Sequence, residues 1–352
     1  MKSEPAPRTG LLSTPVDASP FALVPSAPSS PLADLLPELE HVRRFAAAAS
    51  APATRRAYAR EWSSFSAWCS SKHCAALPAL PATLAAYISA LAVGATTRPD
   101  GRPRAPRKAA GIDLALAAIT AAHKAAGLDS PRDAAGVRAV RRGIRRELGT
   151  APREAAPLLT PELRRAVAAL PATLHGARDR ALLLLGWAGG FRRSALVSLD
   201  VPDLLFSPGE GIAVTLRRDK TDQEGRGRTI AIPFGSSAEV CPVRSVRAWL
   251  EAAGVSEGPI FRAVDRHGRV AAARLSDRAV ALVVQSAAAA IGLDVSTFAG
   301  HSLRAGFATS AARAGKADRD IMRQMGSRSR AVFDRYVRAA HLWDDNAAAG
   351  LL

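Results

Sequence analysis

The sequence predicts a mainly α protein of two domains, a helical N-terminal one and a mostly helical α+β one carrying a small antiparallel β-sheet. Three observations predict it. Apolar residues recur at three- and four-residue spacings over most of the chain, the period of helices with one buried face. One stretch, "GIAVTLRRDKTDQEGRGRTIAIPF", instead reads as two strands, Ile212 to Leu216 and Thr229 to Pro233, joined by a polar, Gly-containing turn region. Between the helical regions, "GTAPREAAPLLT", Gly149 to Thr160, contains prolines and has no period, which marks a domain boundary.

In chain order, residues 1–38 are rich in Pro, Ser and Ala and read as a disordered tail, since such a segment buries too little apolar surface to offset its ordering entropy. The helical domain covers residues 39–150. Its opening helix carries the stripe Tyr58, Trp62, Phe65, Trp68 and Cys69, a second helix Leu84, Tyr87, Ile88 and Leu91, and a third Ile112, Leu116, Ile119 and His123. His123 reads as a core-edge side chain rather than a ligand. The basic loop "TTRPDGRPRAPRK" before the third helix reads as mobile. A fourth helix follows "LDSPRD", where Ser130 suits the cap and Pro131 the first helical position. Its Val137, Val140, Ile144 and Leu148 face inward, which leaves Arg138, Arg141, Arg142, Arg145 and Arg146 as a surface suited to a DNA backbone. The second domain covers residues 159–352, with helices resuming at Pro242, at Ser276 and after His301.

Lys and Arg number 48 against 31 Asp and Glu, a formal net charge of +17, and the excess is mostly Arg, whose planar fork matches phosphate oxygens. A polyanionic partner is the first expectation. The three cysteines, Cys69, Cys74 and Cys241, form no C-x-x-C pair and argue for a reducing compartment, against a zinc site or a disulfide framework. The proline-broken N-terminus reads as neither a signal peptide nor a membrane span, so a cytoplasmic, nucleoid-associated protein without membrane contact is expected. No G-x-x-x-x-G-K-[ST] and no post-strand G-x-G-x-x-G is present, so no phosphate loop for a nucleotide is visible.

Chemistry concentrates in the second domain. His301 and Arg304, in "HSLR", lie three residues apart on one helical face, and suit an anionic substrate whose charge the Arg neutralises while the His handles a proton. A strongly apolar helix runs into the bend "GGFRRS" and holds Arg192 there as a phosphate clamp. Lys220, in the strand turn, is a further cation. Tyr336 is the only tyrosine after residue 87. A phenol of pKa ~10 attacks a phosphodiester only where cations and hydrogen bonds stabilise the developing charge.

On these residues the second domain resembles the catalytic domain of the tyrosine recombinase (phage integrase) family, in the family's order, over essentially all of residues 159–345. "GGFRRS" resembles the first arginine box (Arg192), Lys220 the hairpin lysine, "HSLR" the H-x-x-R box (His301, Arg304) and "FDRYVR" the nucleophile segment (Tyr336). Residues 41–150 look like the helical, SAM-like core-binding domain, "TRRAYAREWSSFSAWC" being close to its usual opening helix. The resemblance implies DNA cleavage by Tyr336, with a 3′-phosphotyrosyl link and a released 5′-hydroxyl, and no metal, ATP or other cofactor. Arg192 and Arg304 would hold the non-bridging oxygens, His301 would assist proton transfer at the nucleophile, and Lys220 would protonate the leaving 5′-oxygen. Double-stranded DNA, a tetramer on two DNA sites and an accessory DNA-bending protein are the implied partners.

Two positions depart from the family pattern. Ser327 stands nine residues before Tyr336, where the family has His or Trp, and Ala195 stands where the first box usually has an acid. Both predict weakened cleavage. Two alternatives therefore stay open: a degenerate relative that binds DNA without cutting it, and a type IB topoisomerase, against which the core-binding-like domain and the "RYVR" ending speak. The final "AAHLWDDNAAAGLL" either docks on a neighbouring protomer through Leu342 and Trp343 or packs on its own domain.

Overall fold

The structure is a computed structural model and describes residues 36–98, 101–151, 154–217, 222 and 225–341. Lys220, Leu342 and Trp343 lie outside the described residues. The chain divides into two compact units, Met1–Pro152 and Arg153–Leu352.

Among the described residues, the elements of the first unit are the helices α1 (Leu36–Ala48), α2 (Pro52–Ser71), α3 (Pro81–Val93), α4 (Ala109–Ala125) and α5 (Ala135–Leu148) and one 3₁₀ turn. Helix α1 begins inside the stretch read as tail. Pro52 and Pro81 open α2 and α3, where a missing N–H breaks no helical bond. Apolar faces of α2, α3, α4 and α5 meet in one core, with Phe65 and Tyr87 rings 5.0 Å apart and Trp68 and Tyr87 rings 5.2 Å apart. His123 is fully buried in α4; its Nε2 accepts from the Ala79 N–H (3.0 Å) and its Nδ1 donates to the Ile119 carbonyl (2.9 Å). Both ring nitrogens serve the backbone, which fits a structural side chain and not a ligand.

Three details differ from the sequence reading. Ser130 caps a separate 3₁₀ turn, Pro131–Asp133, by accepting from the Arg132 N–H, and α5 starts afresh after Ala134. Leu148, expected inward, is exposed, because α5 ends there, at the edge of the core, and the chain leaves through Gly149. The basic loop read as mobile is tied down on both sides of residues 99–100. Thr97 bridges Pro103, the Arg104 N–H donates to Thr96 O, and Arg107 Nη1 reaches the buried carboxylate of Glu61 at 2.5 Å.

The second unit contains α6 (Thr160–Ala168), α7 (Leu174–Ala188), α8 (Arg193–Ser198), strands β1 (Leu204–Ser207), β2 (Gly211–Leu216) and β3 (Arg228–Pro233), α9 (Pro242–Ala252), β4 (Arg262–Val264), β5 (Val270–Arg274), α10 (Asp277–Ala290), α11 (Ser302–Arg313), α12 (Asp318–Met325) and α13 (Arg330–Ala340). Leu182 to Leu185 of α7 are all buried, so this helix is surrounded by the main core. The two expected strands are β2 and β3; β1 adds a third in the antiparallel order β1-β2-β3, and β4 and β5 form a separate hairpin. A smaller core of Ala308, Ala312, Ile321, Met325 and Phe333 binds α11, α12 and α13 together.

Candidate active site

The site is assembled where the bend after α7, the start of α11, the end of α12 and α13 meet. Gly190 makes the bend at φ +56°, and a Cβ there would stand 2.9 Å from Met325 Cγ and 3.0 Å from the Phe307 ring, so only glycine fits. Buried Phe191 anchors the bend, and Arg192 follows in extended conformation as the N-cap of α8. Arg304, in the first turn of α11, is 4% exposed. Its Nη1 donates to Gly190 O and Met325 O, both at 2.6 Å, which fixes the guanidinium between the bend and the end of α12.

His301 is the N-cap of α11, and its Nε2 lies 2.7 Å from the hydroxyl of Tyr336 on α13. Tyr336 is half-buried against the smaller core, which holds the phenol at that place. Desolvation by the surrounding protein, then the charges of Arg304, Arg192, Arg335 and Arg193, hold the imidazole below its usual 6.5. Desolvation also raises the phenol above its usual 10, helped by Glu154 and opposed by Arg304, Arg335 and Arg192. A neutral imidazole therefore faces a protonated phenol, with the hydroxyl donating to Nε2. The charges of Arg192 and Arg304 act on both rings, so the structure brings Arg192, His301, Arg304 and Tyr336 into one field.

Ser327 follows Gly326 after α12; its N–H donates to Met322 O at 2.9 Å, and among the described residues its hydroxyl has no hydrogen-bond partner. It lines an open groove of about 520 Å³ with Asp222, Arg226, Arg228, Arg319, Arg323 and Arg328. Ala195 is buried in α8. Asp222, two residues after Lys220 in the sequence, accepts from the Arg226 and Gly227 N–H groups at 3.1 and 2.7 Å; these bonds, that from Gly227 foremost, hold its carboxyl below the usual range.

Sequence reasoning passed over Arg335. It precedes Tyr336, adds to the field on both rings, and pairs with Glu154 at 2.8 Å. The only sequence signal was its place beside Tyr336 in "FDRYVR".

In the first unit, the five arginines of α5 separate into two sets. Arg141 Nε and Arg145 Nη1 each bind one oxygen of Asp113 on α4 at 2.7 Å. Arg138, Arg142 and Arg146, four residues apart, are exposed on one stripe and have no ion pair among the described residues. A second basic surface, a groove of about 630 Å³, is lined by Arg60, Ser63 and Ser64 of α2 with Arg98, Arg104 and Arg107 of the loop. Ser64 Oγ accepts from Arg104 Nη2 at 3.0 Å and so orients it. Among the described residues, no group of three or more His, Cys, Asp or Glu side chains could hold a metal ion, and no helix is long and apolar enough to cross a membrane.

Mostly helical, with small antiparallel sheets, the fold is that of the tyrosine recombinases. Residues 158–342 match the phage integrase family, and the chain belongs to it. It is 40% identical over 298 residues, 84% of each chain, to an integrase/recombinase xerD homolog of Selenomonas ruminantium. Among solved structures, it is similar to the XerH site-specific recombinase bound to a palindromic difH substrate (TM-score 0.54, 14% identity, 87% of this chain and 80% of that one). It is also similar to a lambda integrase dimer bound to a COC' core site (TM-score 0.52, 16% identity, 86% of this chain and 94% of that one).

Proposed function

We propose that the chain is a site-specific DNA recombinase that cuts and rejoins DNA through Tyr336. The observation that carries this reading is the 2.7 Å contact of His301 Nε2 with the Tyr336 hydroxyl in the field of Arg192 and Arg304. The phenol oxygen attacks the phosphorus of a phosphodiester, and the bond from phosphorus to the 5′-oxygen breaks. His301 accepts the phenol proton, Arg192 and Arg304 neutralise charge on the non-bridging oxygens, and Lys220 supplies a proton to the leaving 5′-oxygen. The product is a 3′-phosphotyrosine and a 5′-hydroxyl. One phosphate ester has replaced another, so a second 5′-hydroxyl reverses the step with no external energy source.

Double-stranded DNA as substrate is supported by the solved relatives, XerH bound to difH and lambda integrase bound to a core site. The exposed arginines of α5 and the groove beside α2 are its backbone contacts on the first unit. Family membership supports a tetramer acting on two DNA sites. Ser327 offers one hydrogen bond without charge where the family carries His or Trp, so Ser327→His should speed cleavage.

The test is covalent capture. Wild type and Tyr336→Phe are incubated with fragmented host DNA, denatured in SDS, and the protein-linked DNA is recovered and sequenced. Wild type should capture DNA and the variant none. If neither captures DNA while both retard it on a gel, the second reading holds: a DNA-binding relative in which Ser327 and Ala195 have abolished cleavage.

A further inference from the structure

We propose that Arg228, at the start of β3, is a positioning residue for strand transfer, setting the turn through Gly326 and Ser327 that leads to Tyr336. This rests on the reaction proposed above. Arg228 stands opposite Leu216 in the β2–β3 pair, directly after the turn region that contains Lys220. Its side chain leaves the sheet and closes the end of α12: Nη1 donates to Arg323 O (3.3 Å) and Gln324 O (2.9 Å), and Nη2 to Met325 O (3.1 Å). These are carbonyls of the last helical turn, at the negative end of the helix dipole; Arg323 O also accepts from the Gly326 N–H at 3.1 Å, whereas Gln324 O and Met325 O lie beyond the reach of the helix's own N–H groups. A bare negative end there would oppose a phosphate. Arg228 offsets it from the sheet side, while Arg304 binds the same Met325 oxygen from the α11 side at 2.6 Å.

Gly326 shows how closely the guanidinium is seated. It has φ +62°, and a Cβ there would lie 2.5 Å from Arg228 Cζ. The Ser327 N–H then bonds to Met322 O at 2.9 Å, a left-handed helix stop that fixes the direction in which the chain departs. Gln324 adds a second tie, from Nε2 to Ala188 O (3.1 Å) and Ala231 O (3.4 Å). The planar fork of Arg228 thus reaches three consecutive carbonyls and keeps the hairpin, the Ser327 turn and the seat of Arg304 in one register. A lysine ammonium, a point charge on a flexible stem, cannot hold the same three acceptors in plane.

The test uses the full chain and the DNA recovered by covalent capture. For wild type, Arg228→Lys, Gly326→Ala and the double variant, three quantities are measured: the single-turnover rate of phosphotyrosyl formation at saturating DNA, the Kd for the same DNA, and the thermal midpoint. Arg228→Lys keeps charge and stem, so folding and affinity should stay near wild type. The saturating rate should fall about 10- to 100-fold, the scale expected for misplaced reacting groups. Gly326→Ala displaces the guanidinium by itself, so adding Arg228→Lys to it should cost little more. An unchanged saturating rate in Arg228→Lys, or a deficit that saturating DNA restores, overturns the proposal, as does full additivity in the double variant. A wild type that forms no adduct overturns the proposed reaction itself, and the positioning role with it.

Discussion

At the residue scale, the His301–Tyr336 contact fixes a sign for pH dependence. On the proposed reaction, the imidazole must be neutral to take the phenol proton, so the rate falls as acid protonates His301. Desolvation and the nearby arginines hold that group below 6.5, so the acid limb should lie below 6.5 and have the slope of one proton. Arg192 is one of the cations that disfavour the imidazolium. Arg192→Gln should therefore move the limb upward, toward 6.5, whatever it does to the height of the profile. Single-turnover rates from about pH 5 to 9 would show this. A limb that does not move would mean that another group sets it.

At the scale of elements, the loop before α4 and helix α5 are held by charge pairs of different exposure. Glu61 is 2% exposed and its partner Arg107 18%, so removing the carboxylate strands a cation in a largely dry place. Glu61→Ala should destabilise the first unit by about 3 kcal/mol, read from urea unfolding of the full chain. Asp113, by contrast, is partly exposed. Desolvation pushes its carboxyl up, but the hydrogen bond from Arg141 and the charges of Arg141, Arg145 and Arg132 outweigh this and lower it. A depressed folded-state pKa contributes stability above the unfolded value, near 3.8, and that contribution disappears as pH falls through the folded value. Asp113→Asn should therefore flatten the acid limb of stability below about pH 4 and lower the midpoint at pH 7 by a small amount.

These elements also mark what a sequence can tell. The apolar stripes of α2, α3 and α4 were legible because one face of each helix is buried, and burial imposes the period. β2 and β3 were legible as alternating, partly buried strands. β1 and β5 were not: β1 is only four residues with none fully buried, and β5 is largely exposed, its "VAAAR" having no strand pattern. In the site, His301 and Arg304 share a turn and could be paired from spacing, whereas Tyr336 reaches His301 across 35 residues, which only family resemblance suggests. The Arg304 and Arg228 bonds were invisible, since their acceptors are backbone carbonyls, which every residue has.

For the whole molecule, a net charge of +17 attracts any polyanion, so affinity alone does not show which arginines meet DNA. Salt dependence does. For each phosphate that a variant no longer neutralises, the slope of log K against log salt should shrink by about 0.9, because every neutralised phosphate releases condensed counterions. Arg138, Arg142 and Arg146 are exposed and have no ion pair among the described residues, whereas Arg141 and Arg145 are committed to Asp113. Replacing the first three by Gln should flatten the slope by nearly the full amount for each phosphate they bind and leave the thermal midpoint unchanged. Replacing Arg141 and Arg145 by Gln should lower the midpoint and change the slope little. The two sets carry the same charge per residue and lie on the same helix, so overall electrostatic attraction would treat them alike. A larger slope change from Arg141 and Arg145 would mean that DNA breaks the Asp113 pairs on binding. Then α5 would not be a preformed surface, and the backbone interaction would have to be sought first in the Arg60, Arg98 and Arg104 groove beside α2.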